Sequence, residues 1–406
     1  MEYKKLKELC KIKHGYAFKG KFITTEETEN VLVTPGNFKI GGGFKEDKCK
    51  YYKKEGEIPE EYVLKPNDLI VTMTDLSKNG DTLGYSAIIP ENSKKVYLHN
   101  QRIGLVNNIN TEYVSKKFLY WYMRTYKYQK QIVGSSTGTT VKHTSPNRIL
   151  DVSIPIFERN IQTKVANILD NVERKILLNS QINDNLDEQL KIIFKDKFFD
   201  KIENNNIEDF KELSLYDVMD VIDNRGKTPK LVEKSKYPII DVRAISGDER
   251  IINYKQCQKY VDEEVYNSFF RSGHPKINDI LISTVGSLAE MKIYKENKGT
   301  IAQNVVGLRC KTGYPMYIYQ YLKAIKNDLI SYNIGSVQPS IKVTQFMKHK
   351  IFIPKDIELE EFEKMAEIYT DKMFNISKEN ENFEQLRDTL LPKLMNGEID
   401  LDKIEI

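Results

Sequence analysis

The sequence predicts an α+β protein with a pseudo-two-fold internal repeat: two α/β domains separated by two long helices packed as an antiparallel coiled coil. Three observations lead there. Short segments recur in the same order about 200 residues apart. Each of two mixed, β-rich regions is followed by a stretch with apolar residues at helical spacing. Charge divides along the same boundaries, with residues 1–157 at a net +8, 158–200 at −1, 201–355 at +6 and 356–406 at −9.

Self-similarity at a long period signals duplicated structural units. Lys7-Glu8-Leu9 returns as Lys211-Glu212-Leu213, and Asn67-Asp68-Leu69-Ile70-Val71 as Asn278-Asp279-Ile280-Leu281-Ile282. Tyr120-Trp121-Tyr122-Met123 is answered by Tyr319-Gln320-Tyr321-Leu322. Gly134-Ser135 through Val141-Lys142 is answered by Gly335-Ser336 through Ile341-Lys342, and Ile154-Pro155 by Ile353-Pro354.

Residues 1–157 and 201–355 are the two predicted domains. Their strands fall at Asp68–Thr74, Ile280–Val285 and Ile301–Leu308, rich in β-branched residues and punctuated by Gly and Asn. Helical stretches are expected near residues 115–132 and 316–331. The aromatic cluster Phe118, Tyr120, Trp121, Tyr122, Tyr126 and Tyr128 lies at helical spacing and reads mostly as core.

Residues 158–200 and 356–406 differ in kind. Val165, Leu169, Val172, Ile176, Asn179, Asn183, Leu186, Leu190 and Ile193 alternate steps of four and three, a coiled-coil seam with two register-fixing Asn. Met365, Tyr369, Ile376, Phe383, Leu386 and Leu390 take the same phase in the second helix, interrupted by Lys372 and Glu379. Pro392 marks a kink or end there. Helices of roughly 30–35 residues span about 45–50 Å. With the order domain, helix, domain, helix, an antiparallel pair is expected to hold the domains at opposite ends of a strut.

With 40% hydrophobic and 30% charged residues, the composition is that of a folded globular chain. No apolar run is long enough for a membrane span or resembles a signal peptide. The four cysteines are scattered, so neither a disulfide framework nor a zinc site is indicated and a reduced cytoplasm is expected. The two basic blocks suit a polyanion, whereas the acidic C-terminal block suits a protein partner.

The helices carry a resemblance. Glu158-Arg159-Asn160-Ile161-Gln162 through Ile176, then Asn179, Asn183, Leu186 and Ile193-Phe194-Lys195-Asp196-Lys197-Phe198-Phe199-Asp200, resembles the central conserved region of type I restriction-modification specificity subunits. Leu386-Arg387-Asp388-Thr389-Leu390-Leu391-Pro392-Lys393-Leu394-Met395-Asn396-Gly397-Glu398-Ile399 resembles their C-terminal signature. The resemblance implies two target-recognition domains, each reading half of a bipartite, asymmetric target in double-stranded DNA. It implies spacer helices that dock two adenine-modification methyltransferase subunits, with a restriction endonuclease subunit joining, and a subunit without catalysis or cofactor.

Gly15-Tyr16-Ala17-Phe18-Lys19-Gly20 and Arg225-Gly226-Lys227-Thr228-Pro229 occupy corresponding places early in each domain. Gly lets a backbone approach closely, and Lys or Arg supplies phosphate or guanine contacts. Gln101-Arg102 and Gln303-Asn304 correspond and can read base edges, and the polar loops 135–142 and 336–342 each end in Lys. The expected DNA-binding residues are Tyr16, Lys19, Arg102, Thr139, Lys142, Arg225, Lys227, Asn304, Gln338 and Lys342.

Catalytic patterns are weaker. Gly41-Gly42-Gly43 lacks a dinucleotide fingerprint, and Gly226-Lys227-Thr228 lacks the leading glycine of a phosphate loop, Val221 standing there. Asp279 with Glu290-Met291-Lys292 imitates a metal-dependent nuclease triad, although Asp68 and Asp279 suit turns before strands. An endonuclease using Asp279, Glu290 and Lys292 is thus one alternative, and the specificity subunit of a two-component type II system another. The five histidines are isolated, so no metal site is expected.

Overall fold

The computed structural model describes residues 2–47, 49–335, 337–355 and 357–399. Met1, Lys48, Ser336, Asp356 and 400–406, which fall within the predicted domains and helices, lie outside the described residues. Two compact units form: residues up to Arg174 with those from Phe383 onward, and Lys175–Asn382.

In the first unit Glu2–Lys5 pairs antiparallel with Ser153–Ile156, tying the start of the domain to its end. A four-stranded antiparallel sheet runs in the order Lys11–His14, Ile103–Asn107, Leu69–Thr72, Ser86–Ile88. A five-stranded sheet adds Ile23–Thr24, Lys50–Tyr52, Asn30–Val33, Val96–His99 and Val63–Leu64, with Asn30–Val33 parallel to Val96–His99. Helices Lys116–Tyr122 and Tyr126–Gly134 are capped by the Ser115 and Thr125 hydroxyls, which accept from Phe118 N and Tyr128 N. Phe118, Trp121, Tyr122 and Tyr128 are buried, as the cluster predicted, while Tyr126 faces solvent.

The second unit repeats this plan. Phe210–Ser214 pairs with Lys350–Pro354, and a four-stranded antiparallel sheet runs Met219–Ile222, Val305–Cys310, Ile280–Ser283, Met291–Ile293. A three-stranded sheet contains the parallel pair Tyr237–Ile240 and Thr300–Ile301. Helices Pro315–Ala324 and Lys326–Ser331 follow.

The best-kept recurrence is a turn. Asn67 and Asn278 adopt left-handed backbone (φ 68° and 71°), a conformation Asn tolerates better than most residues. In the next residue a carboxylate accepts the N–H three residues back, Lys65 to Asp68 at 2.8 Å and Lys276 to Asp279 at 2.7 Å. This launches the central strand of each sheet.

Other matches are corrected. Lys7–Leu9 lies in the short helix Leu6–Leu9, whereas Lys211–Leu213 lies in a strand, so the true counterpart of the former is Leu215–Val218. Thr144 N–H bonds Met73 O at 2.9 Å and Ile341 N–H bonds Thr284 O at 2.8 Å. That pairs Thr144 with Ile341 and Ser145 with Lys342; both of the latter stand at the start of a short helix, Ser145 accepting Arg148 N–H through its hydroxyl and Lys342 making no side-chain cap bond. Lys142 therefore aligns with Pro339, three residues from the sequence match with Lys342. Similarly, Ile154 answers Ile351, not Ile353. Loops of unequal length shift the offset along the chain, and a Lys or Pro inside a polar loop is too common to fix register.

The first long helix, Arg159–Phe194, continues through a π turn at Lys195–Phe199 to Glu203. Every predicted seam residue from Val165 to Ile193 is buried or half-buried. The second, Ile357–Met395, is phased differently from its prediction. Its inner stripe is Leu359, Phe362, Ala366, Thr370, Met373, Ser377, Asn380, Arg387, Leu391 and Leu394, while Leu386 is exposed. Polar residues on the inner stripe misled the apolar count.

Those polar residues have partners. Asn179, 1% exposed, donates to Glu379 at 2.6 Å and to Asn380 Oδ1 at 2.9 Å. Asn183 donates to Ser377 Oγ at 3.2 Å. Glu379, read as an interruption, is thus part of the antiparallel contact. In the first unit Glu173 takes Arg387 at 2.9 Å, and Val165 and Leu169 pack with Leu391, Leu394 and Met395. Pro392 does not end the helix, which runs on to Met395. Gly397 does so, with left-handed backbone (φ 70°) and Glu398 N–H bonded to Lys393 O. No helix among the described residues is long and apolar enough to cross a membrane.

Candidate nucleic-acid interface

Each four-stranded sheet has one end where the same four connections gather. In the first unit Lys11–His14 and Leu69–Thr72 finish there, and Ile103–Asn107 and Ser86–Ile88 begin there. Tyr16 follows the first of these strands, bonding His99 O through its N–H at 2.8 Å and accepting from Gln101 N–H at 2.9 Å. Arg102 precedes the strand beside it, and its carbonyl accepts Met73 N–H at 2.9 Å. Met73 O in turn accepts from Thr144, bringing the loop with Thr139 and Lys142 to the same end. Backbone hydrogen bonds thus bring Tyr16, Arg102, Thr139 and Lys142 together.

Underneath, His99 is wholly buried, with Nε2 against Ile103 O at 2.9 Å. Desolvation pushes its pKa down to about 4, the Ile103 contact only partly opposing this, so the ring is neutral near pH 7. It serves as a strut for the loop. Tyr16 packs edge-on to Phe18 at 5.1 Å and on Tyr62 at 5.2 Å, so its ring is half-committed to local packing. Lys19 is exposed and near Glu57 at 3.7 Å. The side chains of Arg102, Thr139 and Lys142 have no polar partner among the described residues, and Arg102 and Thr139 are exposed.

The second unit builds the same end from different residues. Asn304 O accepts Thr284 N–H at 2.9 Å, as Arg102 O accepts Met73 N–H, so the predicted equivalence of Arg102 and Asn304 holds. A cavity of about 450 Å³ opens here, lined by Lys227, Thr228, Phe270, Gln303, Asn304 and Gln338 among others. Three of the expected residues, Lys227, Asn304 and Gln338, therefore line one cavity. Gln303 donates to Thr228 Oγ1 at 3.3 Å. Asn304 Oδ1 and Thr284 Oγ1 are buried without partners.

Arg225 is less available. Its Nε lies 2.9 Å from both carboxylate oxygens of Asp223. Burial opposes ionisation of Asp223, but hydrogen bonds and charge from Arg225, with Arg271 nearby, outweigh it and hold the carboxyl below its usual range. Lys342 is exposed at the start of the short helix Val343–Phe346, following the loop that holds Gln338.

Residues 1–188 and 207–382 each match the type I restriction modification DNA specificity domain. The chain belongs to that family. Type I restriction-modification DNA specificity proteins similar to it include the type I restriction enzyme HindI specificity subunit of Haemophilus influenzae, 24% identical over 79% of this chain and 87% of that one. The MjaIX specificity subunit of Methanocaldococcus jannaschii is 22% identical over 79% of this chain and 76% of its own. The crystal structure of a type I restriction-modification system S subunit from M. genitalium shares the fold, with a TM-score of 0.57 at 18% identity, covering 97% of this chain and 95% of that one.

In this specificity protein the nuclease-like residues do not converge. Asp279 stands opposite Tyr294 and Glu290 opposite Ser283 on the paired strands. Four residues of strand separate them, roughly 13 Å. Each is also engaged elsewhere: Asp279 with Arg309 at 2.7 Å, Glu290 with Lys326 at 2.9 Å, and buried Lys292 with Glu249 at 2.9 Å. Gly226-Lys227-Thr228 lies in a loop that leads to strand Tyr237–Ile240, not into a phosphate-binding helix.

Sequence reasoning missed Lys259 and Phe270, which also line the cavity. It also missed the two arginines beneath the domains. Arg124, 3% exposed, stacks over Trp121 at 4.3 Å, reaches Glu173 at 3.5 Å and donates to Gly41 O at 3.0 Å. Arg250, 2% exposed, stacks over Tyr319 at 4.5 Å and donates to Asp187 at 3.0 Å and Gln320 at 2.6 Å. Nothing local marks an Arg as buried; only the long-range partner does.

Proposed function

We propose that this specificity protein reads a bipartite, asymmetric target in double-stranded DNA, with domain 1–157 on one half-site and domain 201–355 on the other. The gathered sheet ends carry this reading. Arg102, Lys142, Lys227, Gln338 and Lys342 have side chains unpaired within the described residues, beside backbone that a rigid sheet holds in place. Exposed cations suit phosphates, and amides and guanidinium suit base edges. Tyr16, Lys19, Thr139, Arg225 and Asn304 complete the proposed surface.

The helical segments 158–200 and 356–406 are the proposed dock for two modification methyltransferase subunits, with a restriction endonuclease subunit joining in the cytoplasm. Leu177, Leu178 and Ile368 on these helices are about half or more exposed, unlike the seam beside them. Such side chains favour a protein partner. The chain supplies recognition and no chemistry of its own.

Sequencing of methylated bases in cells with the modification subunits, with and without this chain, tests the proposal. A two-part motif that appears only with the chain is expected. A continuous motif, or one independent of the chain, contradicts it.

A further inference from the structure

Arg102 and Asn304 hold the same position in the two units, each carbonyl bonded to the first residue beyond the central strand, Met73 or Thr284. The residue before each is a glutamine, Gln101 or Gln303, so that side chain alone gives the two ends no difference. The following residue does. Arg102 projects into solvent with its guanidinium unpaired among the described residues. Asn304 lies in the cavity wall beside Lys227 and Gln338, with Oδ1 cut off from water and without a donor. An unpaired buried amide oxygen is unfavourable, so turning the Asn304 amide until Oδ1 faces the cavity breaks no hydrogen bond of that oxygen and offers its acceptor to a base.

The two side chains present different patterns. A guanidinium offers only donors, in a fork that fits the two acceptors N7 and O6 of guanine. A carboxamide offers a donor beside an acceptor, the complement of N7 and the N6 amino group of adenine. Resting on the reading that these sheet ends face DNA, we propose that Arg102 selects a guanine in one half-site and Asn304 an adenine in the other. Each choice is expected to discriminate against the wrong base by roughly 5- to 150-fold.

Methylated bases are sequenced in cells carrying the cognate modification subunits with the native chain, Arg102→Gln or Asn304→Asp. The purified complexes are also bound to a randomised duplex library, so that a variant too weak to methylate is judged by the same base preferences. Gln complements adenine and Asp accepts from the N4 amino group of cytosine. Arg102→Gln is expected to move one guanine of one half-site towards adenine and leave the other half native. Asn304→Asp is expected to move one adenine of the opposite half towards cytosine. Preferences unchanged at every position, a shift at a different native base, or loss of binding without a shift overturns the assignment while leaving the specificity function standing. A native chain that confers no motif at all removes both.

Discussion

The two units keep the same sheet and differ at its end. Strand order, the Asn-Asp turn and the carbonyl bonds of Arg102 and Asn304 are common, whereas the side chains that emerge there are not. One end presents an open Arg102 and the loop of Lys142, and the other a cavity walled by Lys227, Asn304 and Gln338. Backbone hydrogen bonds fix the scaffold without asking much of side chains, so the end is free to diverge. The undersides teach a similar lesson. Arg124 comes from the break between two helices and Arg250 from the loop between the helical turns Val242–Ile245 and Tyr254–Gln256, yet both stack on an aromatic ring and meet a carboxylate of the first long helix. Chemistry is repeated there although sequence position is not.

The strongest way to break that parallel is to remove an arginine. Loss of one partner from a buried ion pair costs about 3–5 kcal/mol. Arg250→Ala is expected to speed hydrogen exchange across residues 210–354 and leave residues 2–157 near native, and Arg124→Ala to do the reverse. Exchange rising equally in both units would mean that the arginines do not anchor their own domains.

Glu363 and Gln162 sharpen the comparison with pH. Gln162 Oε1 accepts Ser115 N–H at 2.9 Å, and in the second unit Glu363 accepts Met316 and Tyr317 N–H, each at 2.9 Å. Burial pushes Glu363 up to about 7 from 4.5; Glu367 adds to this, while the two N–H donors and Arg250 oppose it. The folded state therefore holds the proton more tightly than the unfolded one. Stability of the second unit is expected to fall as pH rises from about 4.5 to 7, by at most about 3 kcal/mol, and to level off above. Glu363→Gln should flatten that fall in pH-dependent denaturant unfolding, leaving the Gln162 side unaffected. An unchanged slope would remove Glu363 as its source.

The smallest expected effect separates Lys142 from Lys342, which the sequence pairs and the structure does not. If each touches one phosphate, replacement by Ala lowers the slope of log affinity against log salt by about one. A slope that stays native for either variant removes that lysine from the surface.

The turn Asn67-Asp68 and its copy Asn278-Asp279 were legible because one short motif contains its own conformational cause. The first helix seam was legible for a like reason, since its apolar and Asn positions keep a strict spacing. The second helix was not, because Thr370, Ser377, Asn380 and Arg387 occupy its inner stripe, the last three meeting Asn183, Asn179 and Glu173 from another part of the chain. Arg102 and Asn304 could be aligned from neighbouring strand patterns. The cavity beside Asn304 could not, since Lys259 and Phe270 reach it by tertiary folding alone.

The central claim is that each sheet end reads its own half of the target. The most direct measurement is the methylated motif conferred by Arg102→Ala combined with Lys142→Ala, set against Lys227→Ala combined with Gln338→Ala. The expected result is that the first pair relaxes one half-site, the second pair relaxes the other, and each leaves the opposite half as in the native chain. Two double variants that degrade the same half-site, or a native motif from both, would contradict the account.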